Sequence, residues 1–507
     1  MSGPFGIPLG VLTDSYKASH AFLYPQTVKT VAYGEFRAGY ERDRDDTRLV
    51  FYGIRFVIEN YIAKKWTIED VDYAEQFYAT HNANNTPFPY PRELFLKFIN
   101  ENEGYFPVKI EALPEGTVCH AHTPVYQITA EKEYAPLVTF LETLLTMVWY
   151  PTTVATLSRR AKDLIQQAYD ETVDEDGYAS LESRLHDFGF RGCTCLEQSI
   201  IGGSAHLLNF TGTDTMSAAY YVQFNLNNGK PVASSIPATE HSIMTAHKTE
   251  RAAIMQMIEK FGSGVFACVM DSYDYANALE KVLPSVASAK VGKGGFMVLR
   301  PDSGDQAEVV LMALRKADEV FGSYVNKKGY KVIRGCGVIQ GDGVTTTTLK
   351  RIISTVKDAG YSLQNVSYGM GGGLLQKLNR DTMSFATKLS HITYKDGTAR
   401  DVMKTPKTDG SKFSLPGELM VARNADWVPI VYPKDTPSIP SESNLLKLVY
   451  NYGKLCPWET FDDVRKRVAD QWSRTPKHYD NISPALKEKI RKMVESKKSA
   501  DELQLGN

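Results

Sequence analysis

The chain has 507 residues, 43% of them hydrophobic, with 58 basic residues against 59 acidic ones and a formal net charge of -1. It is too long for one ordinary domain and apolar enough for a large core, so two or three domains are the starting expectation. The even charge balance leaves no basic footprint, which argues against nucleic acid as the main partner.

The N-terminus, MSGPFGIPLGVLTDSYKASH, has neither a basic leader nor a sustained apolar run, so it does not read as a signal peptide. Without a stretch of about 18 apolar residues elsewhere, no membrane span is expected. The expectation is a soluble cytoplasmic protein. Residues 1–150 read as an N-terminal α+β domain: a helical pattern at Arg55–Lys65, a loop-rich segment at His81–Arg92, and strand-like stretches at Val108–Leu113 and Val125–Ile128. His120 and His122 fit one face of a strand better than a metal pair. Cys193 and Cys195 form a C-x-C pair with no second ligand cluster, and the six scattered cysteines suit reduced thiols.

From 151 to 385 the pattern alternates regularly. Four short apolar segments stop at acidic or glycine-rich stations: VFACVMD (265–271), FMVLRPD (296–302), VIQGD (338–342) and VSYGMGGG (366–373). They recur every thirty to forty residues with helix-like stretches between, as consecutive βαβ units do. Three further polar stations precede them, at His186–Gly192, Gly212–Thr215 and Ser234–Ser242. An isolated strand-end Asp usually caps the next helix. Seven stations in sequence order instead predict an irregular parallel α/β barrel with its chemistry on the C-terminal rim of the strands.

Gly341, Gly343, Gly369 and Gly371–Gly373 let the backbone approach a ligand and turn N–H groups toward an anion. The spacing fails the dinucleotide fingerprint, because Leu374 stands where the third glycine belongs, and no Walker A string occurs. A phosphorylated sugar fits better. Beyond the barrel, residues 386–507 read as a segment packing with the N-terminal domain and a partner subunit. It includes a turn at Asp396–Gly397, a basic loop at Lys404–Lys412, and a final helix capped by Ser483 with Pro484 at its first position. Leu486, Ile490, Met493 and Val494 form the apolar face of that helix.

Nine strings together resemble the nicotinamide phosphoribosyltransferase family of type II phosphoribosyltransferases. They are LTDSYK (12–17), WYPTTVAT (149–156), LHDFGFRG (185–192), GTDT (212–215), SIPATEHS (235–242), DSYD (271–274), RPDSG (300–304), IQGDG (339–343) and GGGLLQKLNRD (371–381). The resemblance runs from about residue 10 to about 415 and loosens beyond. The chain departs from relatives at Met370, at Phe190 where they carry Tyr, and in a short segment after Arg42.

The resemblance implies a nicotinamide ring held between Phe188 and a Tyr16 from the second subunit of a homodimer, with Asp214 reading the amide and Arg191 and Ser235 beside it. It implies Arg300, Asp302, Gly341, Asp342, Gly371, Gly372 and Arg380 around the phosphoribosyl group, and Arg37, Lys388 and Lys404 on the pyrophosphate or ATP phosphates. Mg2+ is expected on the pyrophosphate and not in a dedicated protein site. His241 corresponds to a histidine that ATP, as co-substrate, phosphorylates, with Asp271 as its orienting carboxylate and Asp302 second.

Overall fold

The computed structural model describes residues 2–404 and 413–505. Most of the basic loop Lys404–Lys412 therefore lies outside the described residues. The chain divides into two compact units, one formed by 157–378 and 460–462, the other by 1–156, 379–459 and 463–507.

In the first unit five strands lie side by side and all parallel, in the spatial order Leu185–Asp187, Val366–Met370, Cys336–Gln340, Phe296–Arg300, Val265–Val269. Three isolated parallel bridges complete the circuit: Asp187 to Thr213, Gly212 to Ser234, and Ala238 to Ala267. The sheet closes into a barrel whose remaining staves, at 212–213 and 234–238, are too short and polar to count as strands. Ala267, Val298 and Ile339 meet Phe188, Ile236 and Phe296 in one cluster. Side chains from staves on opposite sides touch only if they point inward, so the barrel is filled and not open.

Helices between the staves bury the outer face of the sheet. Gln306–Phe321 starts where the Asp305 side chain accepts the Glu308 N–H and buries Val310, Ala313, Leu314 and Ala317. Thr346–Asp358 opens with a capping box between Thr345 and Thr348 and buries Leu349, Ile352 and Val356. The strands Phe296–Arg300 and Cys336–Gln340 thus pass at their C-terminal ends into a loop and a capped helix, and the loops are left free to carry polar groups.

The second unit is built on an antiparallel sheet of seven strands, in the order Ala399–Asp401, Phe385–Tyr394, Thr27–Phe36, Pro124–Glu131, Val108–Ala112, Lys447–Asn451, Lys454–Leu455. Strands from both ends of the chain are interleaved. The helix Pro484–Leu505 follows Ser483, whose hydroxyl accepts the Leu486 N–H. Leu486 is fully buried with Tyr33, Leu415, Leu419 and Val431, and Ile490 packs against them. Two local expectations differ. The pattern over Arg55–Lys65 forms a single α turn, Ile54–Val57, that widens into a π turn at Ile58–Ile62. His120 ends the strand Val118–His120, but His122 sits in the following turn at a positive φ of 65°, so the two do not share a strand face. Among the described residues no helix is long and apolar enough to cross a membrane.

Candidate active site

The polar stations converge at one rim of the barrel around a cavity of about 960 Å3. Phe188, Arg191, Asp214, Arg300, Asp302, Gly341, Asp342, Gly371 and Gly372 all line it. Phe188 follows directly on the strand Leu185–Asp187, and its N–H donates to the Met370 carbonyl of the neighbouring stave at 3.1 Å. Its half-buried ring rests on two backbones. A Cβ on Gly369 would come within 2.1 Å of the ring, and one on Gly341 within 2.9 Å. Gly369 is therefore a glycine because Phe188 lies over it, a reason different from the ligand approach expected from the sequence. The Arg300 guanidinium lies 5.7 Å from the ring centroid.

Arg300 is paired with Asp302, Nη2 to Oδ1 at 2.8 Å. Asp342 is exposed, and its carboxylate makes no ion pair among the described residues, while its N–H donates to Gln340 Oε1. Opposite charges and one unneutralised carboxylate thus share the wall. That is a donor set suited to a phosphorylated sugar whose ring becomes positive.

Ser235, His241 and Asp271 do not line the cavity but are tied to residues that do. The Ser235 hydroxyl donates to Asp214 Oδ1 at 2.5 Å. Asp271 Oδ2 accepts the Asp302 N–H at 3.1 Å and the Ser303 hydroxyl at 2.5 Å, and its Oδ1 lies 3.0 Å from His241 Nε2. Burial pushes the Asp271 carboxyl up, but the bonds from Ser303, His241 and the Asp302 amide outweigh it and hold the group below the usual carboxylate range. His241 opens the helix His241–Ala246 and is exposed, with Nδ1 3.9 Å from Asp302 Oδ2. In the tautomer that donates its Nε2 proton to Asp271, Nδ1 carries the lone pair.

Tyr16, Arg37, Arg380, Lys388 and Lys404 belong to the second unit. Tyr16 is 54% exposed on the short helix Ser15–His20. Arg37 follows the strand Thr27–Phe36, its Nε 3.2 Å from the fully buried Glu35 and its Nη2 buried without a hydrogen-bond partner among the described residues. Lys388 stands on the adjacent strand, and burial, with Arg37 nearby, pushes its amine down. Arg380 and Lys404 are exposed.

Comparison with known proteins places the chain in a family. Residues 183–453 match the model of the nicotinate phosphoribosyltransferase (NAPRTase) family, and residues 9–110 match the nicotinamide phosphoribosyltransferase N-terminal domain. A nicotinamide phosphoribosyltransferase of Xanthomonas campestris pv. campestris is 39% identical over 420 residues, 81% of this chain and 87% of that one. The chain belongs to the nicotinamide phosphoribosyltransferase family. A second member, from Acinetobacter baylyi, is 29% identical over 503 residues, 92% of this chain and 97% of that one. Two solved structures share the fold at low identity. Human nicotinic acid phosphoribosyltransferase has a TM-score of 0.63 at 17% identity, covering 95% of this chain and all of that one. Nicotinate-nucleotide pyrophosphorylase from Pyrococcus furiosus has a TM-score of 0.61 at 15% identity, covering 94% and 97%.

As a member of the nicotinamide phosphoribosyltransferase family the chain is an enzyme, and its cavity holds residues that the sequence reading passed over. Gln376 and Lys377 line it. Lys377 follows the glycine turn, where its N–H donates to the Gly372 carbonyl, and it brings a cation to the wall. Gln376 Nε2 donates to the Gly189 carbonyl at 3.0 Å. Both stand inside the string GGGLLQKLNRD, so position was legible, but nothing in residue type separated Lys377 from Arg380.

Proposed function

We propose that the protein transfers the 5-phosphoribosyl group of phosphoribosyl pyrophosphate to nicotinamide, giving nicotinamide mononucleotide and pyrophosphate in cytoplasmic NAD salvage. The observation that carries this reading is Asp214 lining the same cavity as the Phe188 ring. An aromatic face suits the flat, electron-poor base. A carboxylate accepts from the amide NH2 and repels the carboxylate of nicotinate. The names of the Xanthomonas and Acinetobacter relatives support the same choice of substrate.

In the reaction the lone pair of the ring nitrogen forms the bond to C1 of the ribose while the C1–O bond to pyrophosphate breaks. The bonding pair leaves with pyrophosphate, and no proton moves. Positive charge grows on the sugar as the bonds exchange, so Asp302 and Asp342 stabilise it while Arg300 and Arg191 hold phosphate or substrate carbonyl oxygens. The backbone at Gly341, Gly371 and Gly372 receives the 5'-phosphate with help from Arg380, and Arg37, Lys388 and Lys404 meet the pyrophosphate or ATP phosphates. A Mg2+ ion would be held by the pyrophosphate, where it would neutralise charge on the leaving group, and Asp302 and Asp342 are the carboxylates that would accept hydrogen bonds from its waters.

ATP hydrolysis is coupled through His241. Nδ1 attacks the γ-phosphorus, the bond to ADP breaks, and water later takes the phosphoryl group from the ring. The 3.0 Å contact of Nε2 with Asp271 supports this role, since it fixes which nitrogen is free. The working unit is a homodimer in which Tyr16 of one subunit faces Phe188 of the other. The test is mass spectrometry of both mononucleotides after incubation with equal nicotinamide and nicotinate, phosphoribosyl pyrophosphate and Mg2+, with and without ATP. Predominant amide product, raised by ATP in the parent but not in His241→Ala, is the expected result. Predominant acid product would overturn the role of Asp214.

A further inference from the structure

Asp187 ends the strand Leu185–Asp187 and is completely buried, yet nothing in the reaction uses it. Its Oδ1 accepts the Gly189 N–H at 2.7 Å, closing a turn over the intervening Phe188. Its own carbonyl accepts the Asp214 N–H at 2.9 Å. One residue therefore holds both the turn that presents the ring and the backbone of the carboxylate that reads the amide. Gly189 is gripped on its other side by Gln376, whose Nε2 donates to the Gly189 carbonyl in the following peptide, and a Cβ on Gly189 would strike Leu375 at 2.6 Å, so the turn has little room to move. Gly203 lets its helix close over Asp187, since a Cβ at that position would lie 3.1 Å from Oδ2. Oδ2 and the Thr215 hydroxyl are both buried and make no bond of ordinary geometry among the described residues, although the hydroxyl is near enough to favour the ionised carboxyl. A buried carboxylate with half its bonding capacity unused is a poor device for stability alone.

We infer that Asp187 is the positioning residue of the nicotinamide pocket: its side chain and its peptide fix the spacing between the Phe188 ring and Asp214. This rests on the function proposed above, and the assay separates the two. Initial rates of nicotinamide mononucleotide formation are measured for the parent, Asp187→Ala and Asp187→Asn, varying nicotinamide and phosphoribosyl pyrophosphate in turn. Asp187→Ala is expected to raise KM for nicotinamide about tenfold, the scale of one charge-assisted hydrogen bond. KM for phosphoribosyl pyrophosphate should stay within about twofold. Asp187→Asn, whose amide oxygen can still accept the Gly189 N–H, should return KM for nicotinamide to within about threefold of the parent. Gln376→Ala, which frees the carbonyl of the same glycine, should raise the same KM and serves if Asp187→Ala does not fold. Equal changes in both KM values, no rescue by Asn, or an unchanged KM for nicotinamide in folded Asp187→Ala or in Gln376→Ala would overturn the inference. A parent protein that makes no nicotinamide mononucleotide would overturn the function and this inference together.

Discussion

Gly369 shows how a single missing side chain can set a substrate site. The Phe188 ring occupies the space where its Cβ would be, at 2.1 Å, and Gly341 receives the same ring at 2.9 Å. Gly369→Ala must displace the ring by about 1.3 Å or more, from 2.1 Å to the 3.4 Å at which ordinary contact begins, and overpacking of this kind costs on the order of 1–3 kcal/mol. The expected outcome is a lowered melting temperature together with a nicotinamide KM raised roughly tenfold, because a displacement of that size at a positioning contact is costly. A normal KM in a destabilised variant would mean that the ring does not hold the base. A second residue-scale outcome concerns Asp187. Burial, aided by the nearby Asp214 charge, pushes its carboxyl up from an ordinary value of 3.8 to about 6, against the opposing pull of the Gly189 N–H and the Thr215 hydroxyl. The Cys193 thiol is its other titratable neighbour. The folded state therefore binds this proton more tightly than the unfolded chain does. Stability from this group is present below pH 4 and is lost as pH rises through 6, by about 3 kcal/mol in all. Urea unfolding of the parent and Asp187→Asn at pH 4.5 and pH 7 measures it: the parent should lose stability relative to the variant on going to pH 7. Identical pH dependence in the two proteins would place the titration elsewhere.

At the scale of elements, legibility followed locality. The four segments from 265 to 373 are strands because their apolar runs are continuous, as staves buried on both faces require, and they could be read directly. The staves at 212–213 and 234–238 carry single bridges, so the polar stations were visible while the strand beneath them was not. The antiparallel sheet was hidden for another reason. It pairs Thr27–Phe36 with Phe385–Tyr394 across more than 300 residues, and no local pattern encodes that register. The Ile54–Ile62 segment lost its regular helix to a π turn, which a periodicity of 3.6 does not anticipate. In the site itself, charged and aromatic residues at strand ends were legible by type. Asp187 and Gln376 were not, because what they do depends on which peptide each one grips.

At the scale of the whole molecule, the proposed dimer makes an outcome that no single subunit can mimic. Tyr16 is 54% exposed on a short helix whose Lys17 is buried against Glu142, so the helix is anchored while its ring stands in solvent. If that ring completes the partner's site, Tyr16→Ala and Phe188→Ala should each be nearly inactive alone, for one damages the donor of the sandwich and the other its receiver. A heterodimer of the two carries one site with both lesions and one with neither, since a two-fold interface exchanges the same patches. Random reassociation of equal amounts puts about half the chains in heterodimers and so restores about a quarter of parental activity. The measurement is nicotinamide mononucleotide formation after the two purified variants are mixed, dissociated and allowed to reassociate. Recovery near that fraction requires residues from two subunits in one site. Activity that stays at the level of the separate variants would show that each subunit builds its site alone, and Tyr16 would then have no part in holding the base.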